Sequence, residues 1–150
     1  SPFNAFQLLQ GIETLNLRME RHCANTQAVA EYLHSHANVE WVSYAGLSDH
    51  PHHALAQQYM GGKASGILTF GVKGGFDAGV KFYDALQLFK RLVNIGDAKS
   101  LACHPASTTH RQLTEDEQRA VGVAPEAIRL SVGIEHIDDI IEDLFLALAF

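Results

Sequence analysis

Leu92–Leu144, LVNIGDAKSLACHPASTTHRQLTEDEQRAVGVAPEAIRLSVGIEHIDDIIEDL, decides how this chain is read. Near its end, over Ala127–Gly133, apolar Ile128, Leu130 and Val132 alternate with Arg129, Ser131 and Gly133. Side chains along a strand point to opposite faces in turn. The spacing therefore predicts a strand with one row in a core and Arg129 on the opposite face, held on a rigid element. A guanidinium in that position is a permanently charged, planar fork of donors, suited to gripping a carboxylate with two parallel hydrogen bonds. The competing reading is a surface arginine paired with a neighbouring acid.

Working outward, Ile137, Ile140, Ile141, Leu144, Phe145 and Leu148 form a helical apolar stripe, and Glu135, Asp138 and Asp139 sit where a helix dipole favours negative charge. Thr114-Glu115-Asp116-Glu117 matches a capping box opening a short helix that Gly122 closes. Asp77–Phe89 reads as a helix, and strands are expected at Val39–Tyr44, Gly66–Val72 and Arg91–Ile95. A further short helix is expected over His53–Met60, stopped by Gly61-Gly62. Ser1–Ser35 contains no helix breaker except Gly11 and reads as one long helix. Its first half, with Phe3, Phe6, Leu8, Leu9, Ile12, Leu15 and Leu17, is apolar nearly all round, as in helices buried on several sides. The expectation is one α/β domain over residues 1–150, with helices stacked on a small sheet. The start at Ser1-Pro2 and the end within Leu146–Phe150, in mid-pattern, suggest a portion of something larger.

The 150 residues carry 47% hydrophobic and 19% charged side chains, a globular balance. A net charge of -6 argues against nucleic acid or an anionic membrane as partner. No apolar run approaches the roughly 20 residues of a membrane span. The 2 cysteines, Cys23 and Cys103, are too few for a disulfide framework and fit a reducing, cytoplasmic setting.

Of the other candidate motifs, Asn94–Leu101 follows a predicted strand, where Gly96 frees the backbone and Ser100 can place a hydroxyl or amide near an anionic group; a plain turn is the alternative. His50, His52 and His53 invite a metal, yet their spacing and the lack of a companion Cys or carboxylate cluster favour a polar loop. A Cys103-His104 nucleophile pair is rejected because adjacent residues point apart. Gly62-Lys63-Ala64-Ser65 is no phosphate loop, since the earlier glycine is missing and Ala64 replaces the hydroxyl residue.

Three blocks in order carry a resemblance: Asn94–Leu101 (NIGDAKSL), His104–His110 (HPASTTH) and Arg129–Glu135 (RLSVGIE), supported by Ser1–Phe6, Gly11–Leu15, Arg18-Met19, His50-Pro51 and Gly66–Leu68. Over its whole length the chain resembles the C-terminal domain of the pyridoxal-phosphate-dependent enzymes of Cys/Met metabolism. Within that family the wording at Gly96-Asp97 and Ser107-Thr108-Thr109-His110 is closest to the O-acetylhomoserine sulfhydrylase branch, with methionine γ-lyases and O-succinylhomoserine sulfhydrylases as alternatives. The resemblance implies the small domain of a fold-type I enzyme, with a mostly antiparallel sheet and helices packed on one side. It implies γ-replacement on an amino-acid substrate in methionine and homocysteine biosynthesis, with the cofactor's ring as electron sink. It implies that Arg129 holds the substrate α-carboxylate and that Ser100 assists in the same pocket. It also implies a cytoplasmic homotetramer whose cofactor-bearing lysine and phosphate-binding groups lie in an upstream large domain. No such role is carried onto Lys63, Lys73, Lys81, Lys90 or Lys99. By this reading no catalytic, cofactor-binding or metal residue lies in the chain, which is inactive alone. A free-standing small-molecule-binding module is the rival from another class.

Overall fold

In the computed structural model, which describes residues 1–149, the alternating segment becomes the middle strand of a five-stranded sheet. In chain order the strands are β1 (Val39–Ser43), β2 (Ile67–Val72), β3 (Lys90–Arg91), β4 (Leu101–Cys103) and β5 (Ala127–Ser131). Their spatial order is β1-β2-β5-β4-β3, and neighbours run antiparallel except β3 beside β4. The helices are α1 (Pro2–Glu13), α2 (Leu15–Ser35), α3 (His53–Met60), α4 (Gly75–Ala85), α5 (Glu115–Ala120) and α6 (Ile137–Ala147), with a 3-10 turn at Pro105–Ser107. Phe150, the last residue of the apolar pattern read from the sequence, lies outside the described residues.

Register explains the two faces. Leu130 lies opposite Leu68 on one side and Ala102 on the other, and Ile128 lies opposite Phe70. These side chains, with Val72 and Val132, enter one core with Val29, Ala30 and Leu33 of α2, Phe82 of α4, and Ile140 and Leu144 of α6. Phe70 and Phe82 meet edge to face, their ring centres 5.4 Å apart. The helices that contact the sheet thus cover the face that Arg129 does not occupy, and the mostly antiparallel, one-sided architecture implied by the resemblance is the one observed. On the outer face the Trp41 indole lies over Gly71, where a Cβ would come within 2.2 Å of Nε1, and Nε1–H donates to Glu126 at 3.1 Å.

The structure corrects several sequence expectations. The long first helix is two helices, broken at Thr14 (φ -104, ψ 6). Arg18 reaches back across the break, donating to the Gly11 carbonyl at 2.9 Å and to the Thr14 hydroxyl. The first of these bonds supplies a partner to a backbone carbonyl of the kind a continuous helix would satisfy internally. The apolar side chains of α1 are exposed, Phe3 at 66% and Leu9 at 61%, which agrees with the expectation that this portion of a larger protein leaves that helix uncovered. Phe145, assigned to the apolar stripe of α6, is also exposed.

The expected strand at Arg91–Ile95 is reduced to Lys90–Arg91, and the strand that fills the sheet between β3 and β5 is Leu101–Cys103. All three β4 residues are buried, so they show no alternation for a sequence pattern to reveal. The helix expected at Asp77–Phe89 runs instead from Gly75 to Ala85. Its end is set by Asp143 of α6. The buried Asp143 carboxylate accepts the backbone N–H groups of Gln87 (2.9 Å), Leu88 (3.0 Å) and Phe89 (3.1 Å), which holds Leu86 extended and turns the chain into β3.

Three amides on one carboxylate make Asp143 a structural anchor. Removing it leaves three donors to resolvate in a buried setting, and hydrogen bonds to charged groups contribute about 1.5–3 kcal/mol each before relaxation. Asp143→Ala is expected to lower unfolding free energy by roughly 3–5 kcal/mol, and Asp143→Asn by less, because the amide oxygen retains part of the acceptor set. Chemical denaturation of the three proteins checks this, and equal midpoints would remove the anchor.

Candidate functional site

β5 delivers Arg129 to the outer face between Thr69 of β2 and Cys103 of β4. The side chain is half-buried, and its Nη2–H donates to the Asn94 carbonyl at 3.2 Å. No carboxylate pairs with it among the described residues, which removes the competing reading of a structural surface ion pair. A strand-held guanidinium with spare donors and one backbone tether is oriented but not neutralised. It can accept an anionic ligand.

The Asn94–Ser100 loop folds back beside this arginine. Gly96 takes a positive φ of 74, and its N–H donates to Ser131 Oγ at 3.3 Å. Asp97 closes a turn by accepting the Lys99 N–H at 3.0 Å, and that bond holds its carboxyl below the usual carboxylate range. Ile134 N–H reaches the Ala98 carbonyl at 3.0 Å. Leu92, Val93 and Ile95 are exposed large apolar residues along the same stretch.

Ser100 lies in this loop but is fully buried. Its N–H donates to Glu135 Oε1 at 2.7 Å and its Oγ–H to Glu135 Oε2 at 2.9 Å, while Oγ accepts the Gly133 N–H at 2.9 Å. The hydroxyl and amide expected to face an anion are thus committed to a protein carboxylate. Glu135, which the sequence places at the N-terminus of α6 as a charge favoured by the helix dipole, reaches instead to Ser100. The sequence also hid a buried polar cluster on α2. Buried Asn25 donates to the carbonyls of Gly133 and Glu135, both at 3.0 Å, and buried His22 donates from Nδ1 to the Val132 carbonyl at 2.6 Å. His22 Nε2 has no partner among the described residues. Polar residues at 22, 25 and 26, one helical turn apart on one stripe, were the available signal.

Cys103 and His104 point apart. Cys103 Sγ lies 3.4 Å from Thr108 Oγ1, whereas His104 lies fully buried among α4, the 3-10 turn and Pro125. His104 Nε2–H donates to the Pro125 carbonyl and Nδ1 accepts from Ser107 Oγ, both at 2.7 Å. Burial lowers the pKa of this imidazole, partly offset by the Pro125 carbonyl. His50 and His52 pack ring against ring and His53 Nδ1 donates to the Ala45 carbonyl at 3.1 Å. No group of three or more His, Cys, Asp and Glu among the described residues is arranged to hold a metal. No helix among them is long and apolar enough to cross a membrane.

The fold is a one-sided α/β sheet with an arginine tethered on its outer face, and comparison with known proteins gives its class. The family model for Cys/Met metabolism PLP-dependent enzymes matches residues 1–149. The chain belongs to that pyridoxal-phosphate-dependent family. It is 57% identical over 149 residues to an O-acetyl-L-homoserine sulfhydrylase of Leptospira meyeri, covering 99% of this chain and 34% of that protein. A homocysteine synthase of Schizosaccharomyces pombe is 53% identical over 99% of this chain and 34% of its own length. An L-methionine gamma-lyase of Pseudomonas putida is 49% identical over 99% of this chain and 37% of its own length. A crystal structure described as an O-acetylhomoserine (thiol)-lyase from Campylobacter jejuni, with a pyridoxyl-lysine phosphate, superposes with a TM-score of 0.91 at 43% identity. That match covers 100% of this chain and 36% of the crystal chain. The chain spans about a third of the length of the curated relatives it matches.

The described residues do not by themselves fit the cofactor. All of Lys63, Lys73, Lys81, Lys90 and Lys99 are exposed. Lys63 pairs with Glu20 and Lys99 with Asp97, and Lys73 is bonded to the Ala37 carbonyl. Lys63 lines an open cleft with Glu20 and Cys23, but none of these amines is buried. What the chain does offer is an oriented guanidinium, Arg129, with donors to spare.

The buried His104 makes a testable stability statement. Its folded pKa lies below the ordinary 6.5, so the stabilisation from keeping it neutral is complete above that value and is lost as pH falls through it toward the folded pKa. From about pH 7.5 to about pH 5.5 the unfolding midpoint of the native protein should fall more steeply than that of His104→Gln. Parallel curves would show that another group carries the dependence.

Proposed function

We propose that this chain is the C-terminal small domain of a pyridoxal-phosphate-dependent O-acetylhomoserine sulfhydrylase, and that it supplies the grip on the amino-acid substrate's α-carboxylate. The observation that carries the reading is the Arg129 guanidinium, held on the central strand and, among the described residues, without an acidic partner and tethered only to the Asn94 carbonyl. In the complete enzyme the cofactor supplies the electron sink, and its lysine and phosphate seat belong to the large domain that the longer relatives contain. Arg129 binds the carboxylate in bidentate fashion and so fixes the direction of the substrate's Cα–H bond, which removes rotational freedom from the reacting state. Ser100 assists from behind, shaping the loop that lies against the guanidinium. The exposed apolar side chains of α1, among them Phe3, Phe6 and Leu9, lie against the rest of the protein, assembled as a homotetramer. The free thiols of Cys23 and Cys103 support a cytoplasmic setting.

The high identity to a methionine γ-lyase favours one alternative, elimination without replacement. The complete enzyme given O-acetyl-L-homoserine and sulfide distinguishes them: homocysteine and acetate support the proposal, whereas 2-oxobutyrate and ammonia as main products support the lyase. Arg129→Ala is expected to lower kcat/KM for the amino-acid substrate by roughly 100–1,000-fold, with the cofactor's visible absorbance intact. Arg129→Lys should recover little of this, because an ammonium cannot reproduce the planar fork. Unchanged turnover by Arg129→Ala would remove Arg129 from the site.

A further inference from the structure

Arg129 is useful only if its guanidinium is aimed, and the aim is set by a loop whose own position needs a cause. The sole protein partner of the guanidinium among the described residues is the Asn94 carbonyl, at the start of an exposed segment. We propose that Glu135 is the positioning residue of the substrate clamp, tying the Asn94–Ser100 loop to the exit of β5 so that Asn94 holds Arg129 at the carboxylate. This inference rests on the reading of Arg129 as that clamp.

Three observations carry it. First, both oxygens of the Glu135 carboxylate accept from a single residue, Ser100, through its N–H and its Oγ–H. The Ser100 Oγ in turn accepts the Gly133 N–H, so strand exit, loop end and carboxylate form a closed ring of hydrogen bonds. An acceptor-only group is required there, because two donors converge on it. Second, Glu135 forms no ion pair with any cation among the described residues, so its charge is spent on this loop alone. Third, the contact is tight enough to exclude any side chain at residue 133. A Cβ on Gly133 would lie 2.3 Å from Glu135 Oε2 and 2.5 Å from the Ala98 carbonyl oxygen. Behind the ring, Asn25 and His22 of α2 hold the carbonyls of Val132, Gly133 and Glu135, so the carboxylate is presented from a fixed backbone. The buried Ser100 thereby affects substrate through the loop rather than by touching it.

The test uses the complete enzyme and four proteins beside the native one: Glu135→Ala, Glu135→Gln, Arg129→Ala and the Glu135→Ala/Arg129→Ala double variant. Steady-state kinetics give KM for O-acetyl-L-homoserine, KM for sulfide and kcat, with the cofactor absorbance and Tm measured in parallel. Glu135→Ala is expected to raise KM for the amino-acid ester by about tenfold or more while KM for sulfide and the absorbance stay native. Glu135→Gln should show a smaller rise, because its amide oxygen still accepts the Ser100 N–H; it carries the test if the alanine variant fails to fold. In the double variant the Glu135 change should add nothing to the loss caused by Arg129→Ala, since it acts through that residue. A native KM in both Glu135 variants, or full additivity in the double variant, would overturn the proposal. If Arg129→Ala itself keeps a native KM, the clamp and its positioning residue fall together, whereas a crippled Arg129→Ala beside native Glu135 variants removes only Glu135.

Discussion

The pleat of β5 is the constraint on which the rest depends. This strand is flanked on both edges, by β2 and β4, and its alternate residues Ile128, Leu130 and Val132 are wholly buried against the helices. Fully burying a Leu or Ile side chain contributes about 1.5–3 kcal/mol, so a slip of one residue would expose the row and bury Arg129 in its place. The core therefore fixes the arginine's face without touching it. Arg129 inherits the rigidity of the sheet, which a residue on a free loop would lack.

Two carboxylates then organise the chain in the same manner, and neither does so through an ion pair. Asp143 gathers three backbone N–H groups and ends α4; Glu135 gathers the N–H and O–H of Ser100 and pins the loop beside Arg129. A carboxylate accepting from neutral donors has direction and tolerates desolvation better than a bare charge does. The polar stripe of α2 works in the same sense, with side-chain donors of His22 and Asn25 satisfying carbonyls at the strand exit that no neighbouring strand reaches. The surface around Arg129 is thus shaped by backbone groups that side chains have taken in hand.

Legibility followed the range of the interactions. β5, β2 and α6 were readable because their signals are local periodicities that match a core face, and the Thr114–Glu117 capping box is a four-residue motif closed within itself. The outward placement of Arg129 was readable for the same reason, from its position in an apolar alternation, and the family from ordered blocks rather than from any one of them. The break at Thr14 was not, because an unbroken helical composition conceals a side chain reaching seven residues back to Gly11. The end of α4 depends on Asp143, more than fifty residues later in the chain. β4 is three buried residues whose strand character exists only through its partners. Ser100 looked available because its acceptor, Glu135, lies 35 residues away.

The sheet's outer edges have a consequence of their own. β3, at one edge, is two exposed basic residues long, and β1, at the other, carries a bulge between Val39 and Trp41 around the exposed Glu40. Short, charged or irregular edges are poor templates for a further strand. Chain-to-chain contact by sheet extension is therefore disfavoured, in crowded solution as in a folding intermediate. Association is left to side-chain surfaces, the exposed apolar residues of α1 foremost, which can discriminate between partners where an open row of amides and carbonyls would accept almost any extended segment.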